Sequence, residues 1–440
     1  MAHDKSKSTD PAVPLIEWVV EARERTLELV SDLSNEDLIG AKLPIVNPGL
    51  WEIGHHAWFQ SFWALRHACG LEPVRDDEDA LYDSIAIAHD TRWDLPLPTR
   101  EQTLDYVRTV RDRLVEQLQT RAVDDTLAYH TLYSILHEDM HTEALTYTRQ
   151  TLSYPQPALN VPQAEQAAGG GPCPGDADVP GGSYMLGSTP DEPLVFDNEK
   201  WAHPVELDSF SIARAPVTQA EYAAFIDDGG YLKKDCWSEA GWEWREGENA
   251  EQHVYWRRGA DGAWERRDFD RWVALEPDRP VIHVNWFEAD AYCRWAHRRL
   301  PSEAEWEAAA SAELTADGSL AAVKRRFPWG DQPPDPTRAN LDWRAMGCID
   351  VGALPDGDSA FGCRQMIGNV WEWTSSVFEP FPGFEVDPYK EYSEPWFATR
   401  KVMRGGCWTT RTRLIRTNYR NFQTPDRRDV LTGFRTCALL

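Results

Sequence analysis

Apolar residues recur at helical spacing through the first third of the chain, and the rhythm then stops. Val13, Ile16, Val19, Val20, Leu27, Val30 and Leu33 predict an amphipathic helix over residues 12–33. A loop over 38–47 ends in Asn47 and Pro48, an N-cap and a first-turn proline for a second helix over 48–69. Trp51, Trp58, Phe59, Phe62, Trp63 and Leu65 make that helix apolar on most sides, the pattern of a bundle interior. An acidic connection over 70–98 leads to a third helix over 99–118, with Glu101 and Gln102 in its first turn. Residues 124–152 contain no Gly or Pro and predict one long fourth helix. Four helices with a long crossover between the second and third give a four-helix bundle over 1–154.

The stretch 155–176, with Ala167-Ala168-Gly169-Gly170-Gly171-Pro172, reads as a linker. From 177 to 440 short apolar pieces alternate with Gly, Pro, Asp and Asn, the grammar of a loop-rich α+β domain. Helices are expected there at 218–226, 286–296 and 302–310, the last opened by a capping box of Ser302 and Glu305.

Composition narrows the function classes. A chain of 440 residues is too long for one ordinary core, and 21 Trp, 14 Tyr and 15 Phe fill two packed ones. A formal charge of −27 makes nucleic acid a poor partner, because phosphate contacts need basic patches. No apolar run has the length of a membrane span, and the polar residues 1–11 carry no secretory pattern, so a cytoplasmic protein is expected. Eight scattered Cys with no Cys-x-x-Cys argue against a disulfide framework or a cysteine-ligated zinc.

The candidate chemistry lies in the bundle. His137 and His141, four positions apart on the fourth helix, share one face with Cβ atoms roughly 5–6 Å apart, so both imidazoles reach one metal ion. The second helix carries Trp51-Glu52-Ile53-Gly54-His55-His56, and either His55 or His56 supplies the natural third ligand from a facing helix.

Ordered phrases of the second half point to a known fold. They include Gly181-Gly182-Ser183-Tyr184-Met185-Leu186-Gly187, Arg299-Leu300-Pro301-Ser302-Glu303-Ala304-Glu305-Trp306-Glu307, Gly368-Asn369-Val370-Trp371-Glu372-Trp373, Arg404-Gly405-Gly406-Cys407-Trp408 and Gly433-Phe434-Arg435. Together they resemble the formylglycine-generating-enzyme (sulfatase-modifying factor) fold, a C-type-lectin-like domain, over about residues 175–437. Formylglycine generators use a cysteine pair near the C-terminus. The corresponding stretch 412–417 has none, so that activity is not expected.

The first half resembles a DinB-like bundle. The pair resembles the iron(II) sulfoxide synthases of ergothioneine and ovothiol biosynthesis, and the related selenoneine synthases. The resemblance implies an Fe(2+) centre on His55, which follows Trp51 by four residues, with His137 and His141. It also implies dioxygen, hercynine (the trimethylated betaine of histidine) and a sulfur or selenium donor as small-molecule partners. Hercynine contacts map onto Asn421, Phe422 and Gln423, where relatives often read Asn-Trp-Asp, and onto Met140, where relatives often carry Gln. Ile85 and Ala86 stand where one subgroup has paired tyrosines, leaving Tyr82 as the expected proton donor, with Tyr389 and Tyr392 as further phenols. Asp90, Arg92 and Trp93 lie in a phrase resembling the selenoneine branch. With Arg420 they are the expected donor contacts, and the phrase itself together with the uncharged Gln423 favours a selenosugar over cysteine or γ-glutamylcysteine. Two readings of other classes are a DinB-type metal-dependent thiol transferase or hydrolase, and a lectin-like binding module on a structural bundle.

Overall fold

The computed structural model describes residues 12–162, 170–192, 194–321 and 323–439. It divides the chain into two compact units, Met1–Asn160 and Val161–Leu440. Residues 163–169 of the expected linker lie outside the described residues. No helix among the described residues is long and apolar enough to cross a membrane.

Unit one is a helical bundle. Its long helices are α1 (Ala12–Val30), α2 (Gly49–Gln60), α4 (Arg100–Thr120) and α5 (Asp125–Thr151), with a short α3 (Glu78–Tyr82) in the crossover. Helices α1 and α2 each pack on both α4 and α5. Thr99 and Gln102 close a capping box on α4, and Asp124 caps α5 through the Leu127 amide. Asn47 does not cap α2 as expected. Pro48 takes the cap position, and the Asn47 side chain bonds Glu52 and Arg92 instead. The predicted second helix also changes register, continuing past Gln60 as a π-helical stretch over Ser61–Ala68.

A buried ion pair locks the bundle. Arg23 on α1 donates to Glu138 on α5, to Gln60 on α2 and to the Val107 carbonyl on α4, and Thr26 donates to the same Glu138 carboxylate. One guanidinium therefore joins all four long helices.

Unit two is the expected loop-rich α+β domain. Strands β1 (Asp176–Val179), β4 (Phe210–Ala213), β8 (Arg298–Arg299) and β13 (Cys437–Ala438) form a sheet in the order β1-β4-β13-β8. A second sheet has the order β11-β10-β9-β12, from β9 (Trp371–Val377), β10 (Lys401–Arg404), β11 (Asn421–Gln423) and β12 (Thr432–Gly433). Strand β2 (Gly182–Leu186) pairs with β3 (His203–Leu207), and β5 (Trp256–Arg258), β6 (Trp264–Asp268) and β7 (Arg271–Ala274) form a small three-stranded sheet. Helices α6 (Gln219–Asp227), α8 (Trp286–Trp295) and α9 (Glu303–Ser311) sit where the pattern placed them, α9 with its Ser302 capping box. A further helix, α7 (Glu239–Gly247), was not anticipated.

The tryptophans of the ordered phrases fill the core as their fold predicts. Trp306, Trp371 and Trp373 are fully buried. The Trp306 indole donates to Glu372, whose carboxylate is clamped by Arg435 at 2.6 and 2.7 Å. All eight cysteines are free thiols.

Candidate metal centre

Helices α2 and α5 bring His55, His137 and His141 together. The rings of His137 and His141 lie 4.5 Å apart, and that of His55 lies 5.2 and 5.0 Å from them. One ring nitrogen from each falls within 4.8 Å of the other two, and among the described residues no other trio of His, Cys, Asp or Glu does so.

The outer nitrogens fix two of the rings. His55 Nδ1 lies 2.8 Å from the main-chain carbonyl of Tyr82, and His141 Nδ1 lies 2.9 Å from Glu52 Oε1. Carbonyl and carboxylate oxygens only accept, so both Nδ1 atoms carry a proton, and the neutral ring then keeps the Nε2 lone pair for a ligand. Burial drives the pKa values of His55 and His137 well below the usual imidazole range, reinforced by neighbouring histidines. Both rings are thus held neutral, the form that binds metals. Aromatic walls complete the cage: Trp51 stacks on His55 at 4.8 Å and Phe59 on His137 at 3.8 Å. Three convergent imidazoles, two of them with oriented outer nitrogens, fit a divalent first-row metal, with coordination positions left for other ligands.

His56 stands outside the trio. Its ring is fully buried with Nδ1 3.6 Å from Glu138 Oε1, on the side of the Arg23 ion pair. Of the two second-helix histidines it is His55 whose ring nitrogen lies near those of His137 and His141.

Several expected contacts are put to other uses. The Tyr82 ring is fully buried against Gly54 and Tyr106, burial raises its phenol to about 12, and its main-chain oxygen is the partner of His55 Nδ1. Arg92 donates to Asn47 and to the carbonyls of Ser84 and Ile87, with its guanidinium 3.9 Å from the Trp51 ring, and so braces the crossover. Arg420 is buried in unit two, bidentate to Glu303 at 3.0 and 2.9 Å and donating to the Asn198 carbonyl, so it is a core ion pair. Arg416 likewise pairs with buried Glu199 at 3.1 Å.

Others remain accessible. Asp90 is exposed, Trp93 is half-buried with its indole donating to Gly40, and Met140 is half-buried between the two α5 histidines. In unit two Asn421, Phe422 and Gln423 form the edge strand β11, all half-buried. Phe422 stacks on Phe378 at 3.9 Å, with Tyr392 edge-on at 6.0 Å, and Gln423 accepts from Arg427.

Glu52 was missed in the sequence reading. Its signal was a lone acid on a helix otherwise apolar on most sides, since a buried carboxylate demands a partner.

Comparison with known proteins agrees with both units. Residues 162–439 match the Sulfatase-modifying factor enzyme 1-like domain family, and residues 19–145 match the DinB superfamily. The hercynine oxygenase of Mycolicibacterium thermoresistibile is 37% identical over 97% of this chain and 96% of its own length. That of Mycobacterium tuberculosis is 36% identical over 95% of this chain and 96% of its own. The formylglycine-generating enzyme of Streptomyces coelicolor is 32% identical over 64% of this chain and 96% of its own.

Proposed function

The chain belongs to the hercynine oxygenase family, and from that premise we propose that it is a non-haem iron(II), dioxygen-dependent oxidoreductase. It forms a carbon–selenium or carbon–sulfur bond at the imidazole ring of hercynine. The observation that carries this reading is a three-histidine cage in a chain similar to hercynine oxygenases over nearly its whole length.

In this reading His55, His137 and His141 hold the metal. Iron(II) bound there supplies dioxygen activation, which the imidazole carbon needs because its C–H bond is inert to acid–base chemistry near neutrality. The protein's own groups set the stage. The Tyr82 carbonyl and Glu52 orient two rings, and burial keeps His55 and His137 unprotonated. In unit two the half-buried stretch Asn421, Phe422 and Gln423 is the proposed hercynine contact, with an aromatic face for the trimethylammonium group. Met140 is the proposed contact in unit one.

For the second substrate we favour a selenosugar. Cysteine and γ-glutamylcysteine carry charged amino and carboxylate groups that call for charged partners. Gln423 is neutral, and the guanidiniums of Arg92 and Arg420 are already engaged within the fold. Asp90 and Trp93 offer the polar and aromatic surface that suits a sugar. The test is a competition: iron(II)-loaded protein receives hercynine, air and equal 1-selenoglucose and γ-glutamylcysteine, and the adducts are read by mass spectrometry. A hercynine–selenium adduct in excess supports the selenosugar; a dominant sulfoxide adduct returns the protein to thiol chemistry.

A further inference from the structure

Two chains of contacts leave Arg92 and end on different histidines of the cage. Along the first, Arg92 Nη1 donates to Asn47 Oδ1 at 2.7 Å and Asn47 Nδ2 donates to Glu52 Oε2 at 3.1 Å. The other Glu52 oxygen accepts from His141 at 2.9 Å. Along the second, the Arg92 guanidinium lies 3.9 Å from the Trp51 ring, which stacks on His55 at 4.8 Å and only 7° from parallel. Arg92, Trp51 and Glu52 are buried and Asn47 is half-buried. Low polarity strengthens each link and penalises its loss.

A second nitrogen of Arg92, Nη2, grips the crossover loop through the carbonyls of Ser84 and Ile87, at 3.1 and 3.4 Å. A single side chain thus ties the conformation of residues 84–92 to the orientation of two imidazoles. Asn47 cannot serve this role alone. Its amide must be presented oxygen toward Arg92 and nitrogen toward Glu52, and the guanidinium, which only donates, fixes that choice.

We propose that Arg92 is a positioning residue of the histidine cage, acting on His141 through Asn47 and Glu52 and on His55 through Trp51. The inference rests on the reading of the cage as a metal centre. Outer hydrogen-bond partners of ligating histidines typically change metal affinity about 10–100-fold when lost. An effect relayed through further residues is smaller, about 3–30-fold. Because coupling is reciprocal, metal binding also orders the crossover loop.

The test uses Co(II) as a visible-absorbing probe, titrated into the metal-free full chain. Wild type is expected to bind one Co(II) per chain. Glu52→Gln raises Kd about 10–100-fold and Arg92→Met about 3–30-fold, each with an altered Co(II) spectrum. The double variant loses less than the product of the two, because the effect of Arg92 on His141 runs through Glu52. Variants within twofold of wild type and with superimposable spectra overturn the inference while leaving the metal reading intact. Wild type that binds no Co(II) overturns both. If Arg92→Met does not fold, amide exchange in wild type decides instead: Co(II) slows exchange across residues 84–92 if the coupling exists, and unchanged exchange there overturns it.

Discussion

The Nδ1–H of His55 donates to the main-chain carbonyl of Tyr82 at 2.8 Å, so a cage histidine on α2 is oriented by the backbone of the crossover. The approach depends on Gly54, the residue before it. A Cβ added at Gly54 would lie 2.2 Å from the Tyr82 ring. That ring cannot retreat readily, being fully buried and stacked on Tyr106 at 5.8 Å. Gly54→Ala is expected to destabilise the protein by about 1–3 kcal/mol, the usual cost of overpacking. It should also weaken Co(II) binding, because Tyr82 moves with the carbonyl that orients His55. Urea unfolding and metal titration on the same preparation check both effects.

The Arg23–Glu138 pair predicts a larger loss. Both side chains are almost fully buried, and removing one partner leaves the other charge stranded. Glu138→Ala is expected to cost about 3–5 kcal/mol in chemical unfolding. The half-exposed pair Arg75–Asp77 supplies the contrast, with Asp77→Ala costing about 1 kcal/mol or less.

Unit two contains an acid-sensitive histidine pair. His253 donates through Nε2 to the Ile282 carbonyl and accepts from the Tyr255 amide through Nδ1, so only the neutral ring satisfies both bonds. Burial pushes its pKa down to about 3, and that of His283, bonded to the Asp429 carbonyl, to about 3 as well. With folded values below the unfolded value of about 6.5, the unfolded chain takes up more protons between those limits. The stability is therefore fully present above about pH 6.5 and is lost as pH falls toward 3. Each such group steepens the loss by about 1.4 kcal/mol per pH unit. His253→Gln should flatten the dependence of unfolding free energy between pH 6 and 4 by about that amount, measured against wild type in the same buffers.

The long helices of the bundle were legible because a buried stripe imposes a period on the sequence: α1, α4 and α5 end within about three residues of where the pattern put them. The π-helical turn over Ser61–Ala68 was not, since a helix apolar on most sides looks the same in either register. In unit two the strands are two to seven residues long, too short for alternation to register. Helix α7 hid because Gly241 and Gly247 interrupt its pattern, although Ser238 caps it. The His137/His141 spacing made that pair visible at once. The uses of Tyr82, Arg92 and Arg420 were not visible, because residue type suggests reactivity whereas burial and partners come only from the fold. Glu52 and Asn47 fall between these cases: their neighbours in the chain say nothing of His141, 89 positions from Glu52.

Hercynine-dependent dioxygen consumption is the reaction proposed for the three-histidine cage. An oxygen electrode measures it directly, using iron(II)-loaded wild type and His137→Ala with hercynine and each of 1-selenoglucose, γ-glutamylcysteine and cysteine. Uptake is expected from wild type with at least one donor, none without hercynine, and a loss of about a hundredfold or more in His137→Ala, the scale of removing a catalytic electrostatic group. Wild type that consumes no oxygen with any donor, or His137→Ala that consumes it as fast, would rule out this chemistry at the cage.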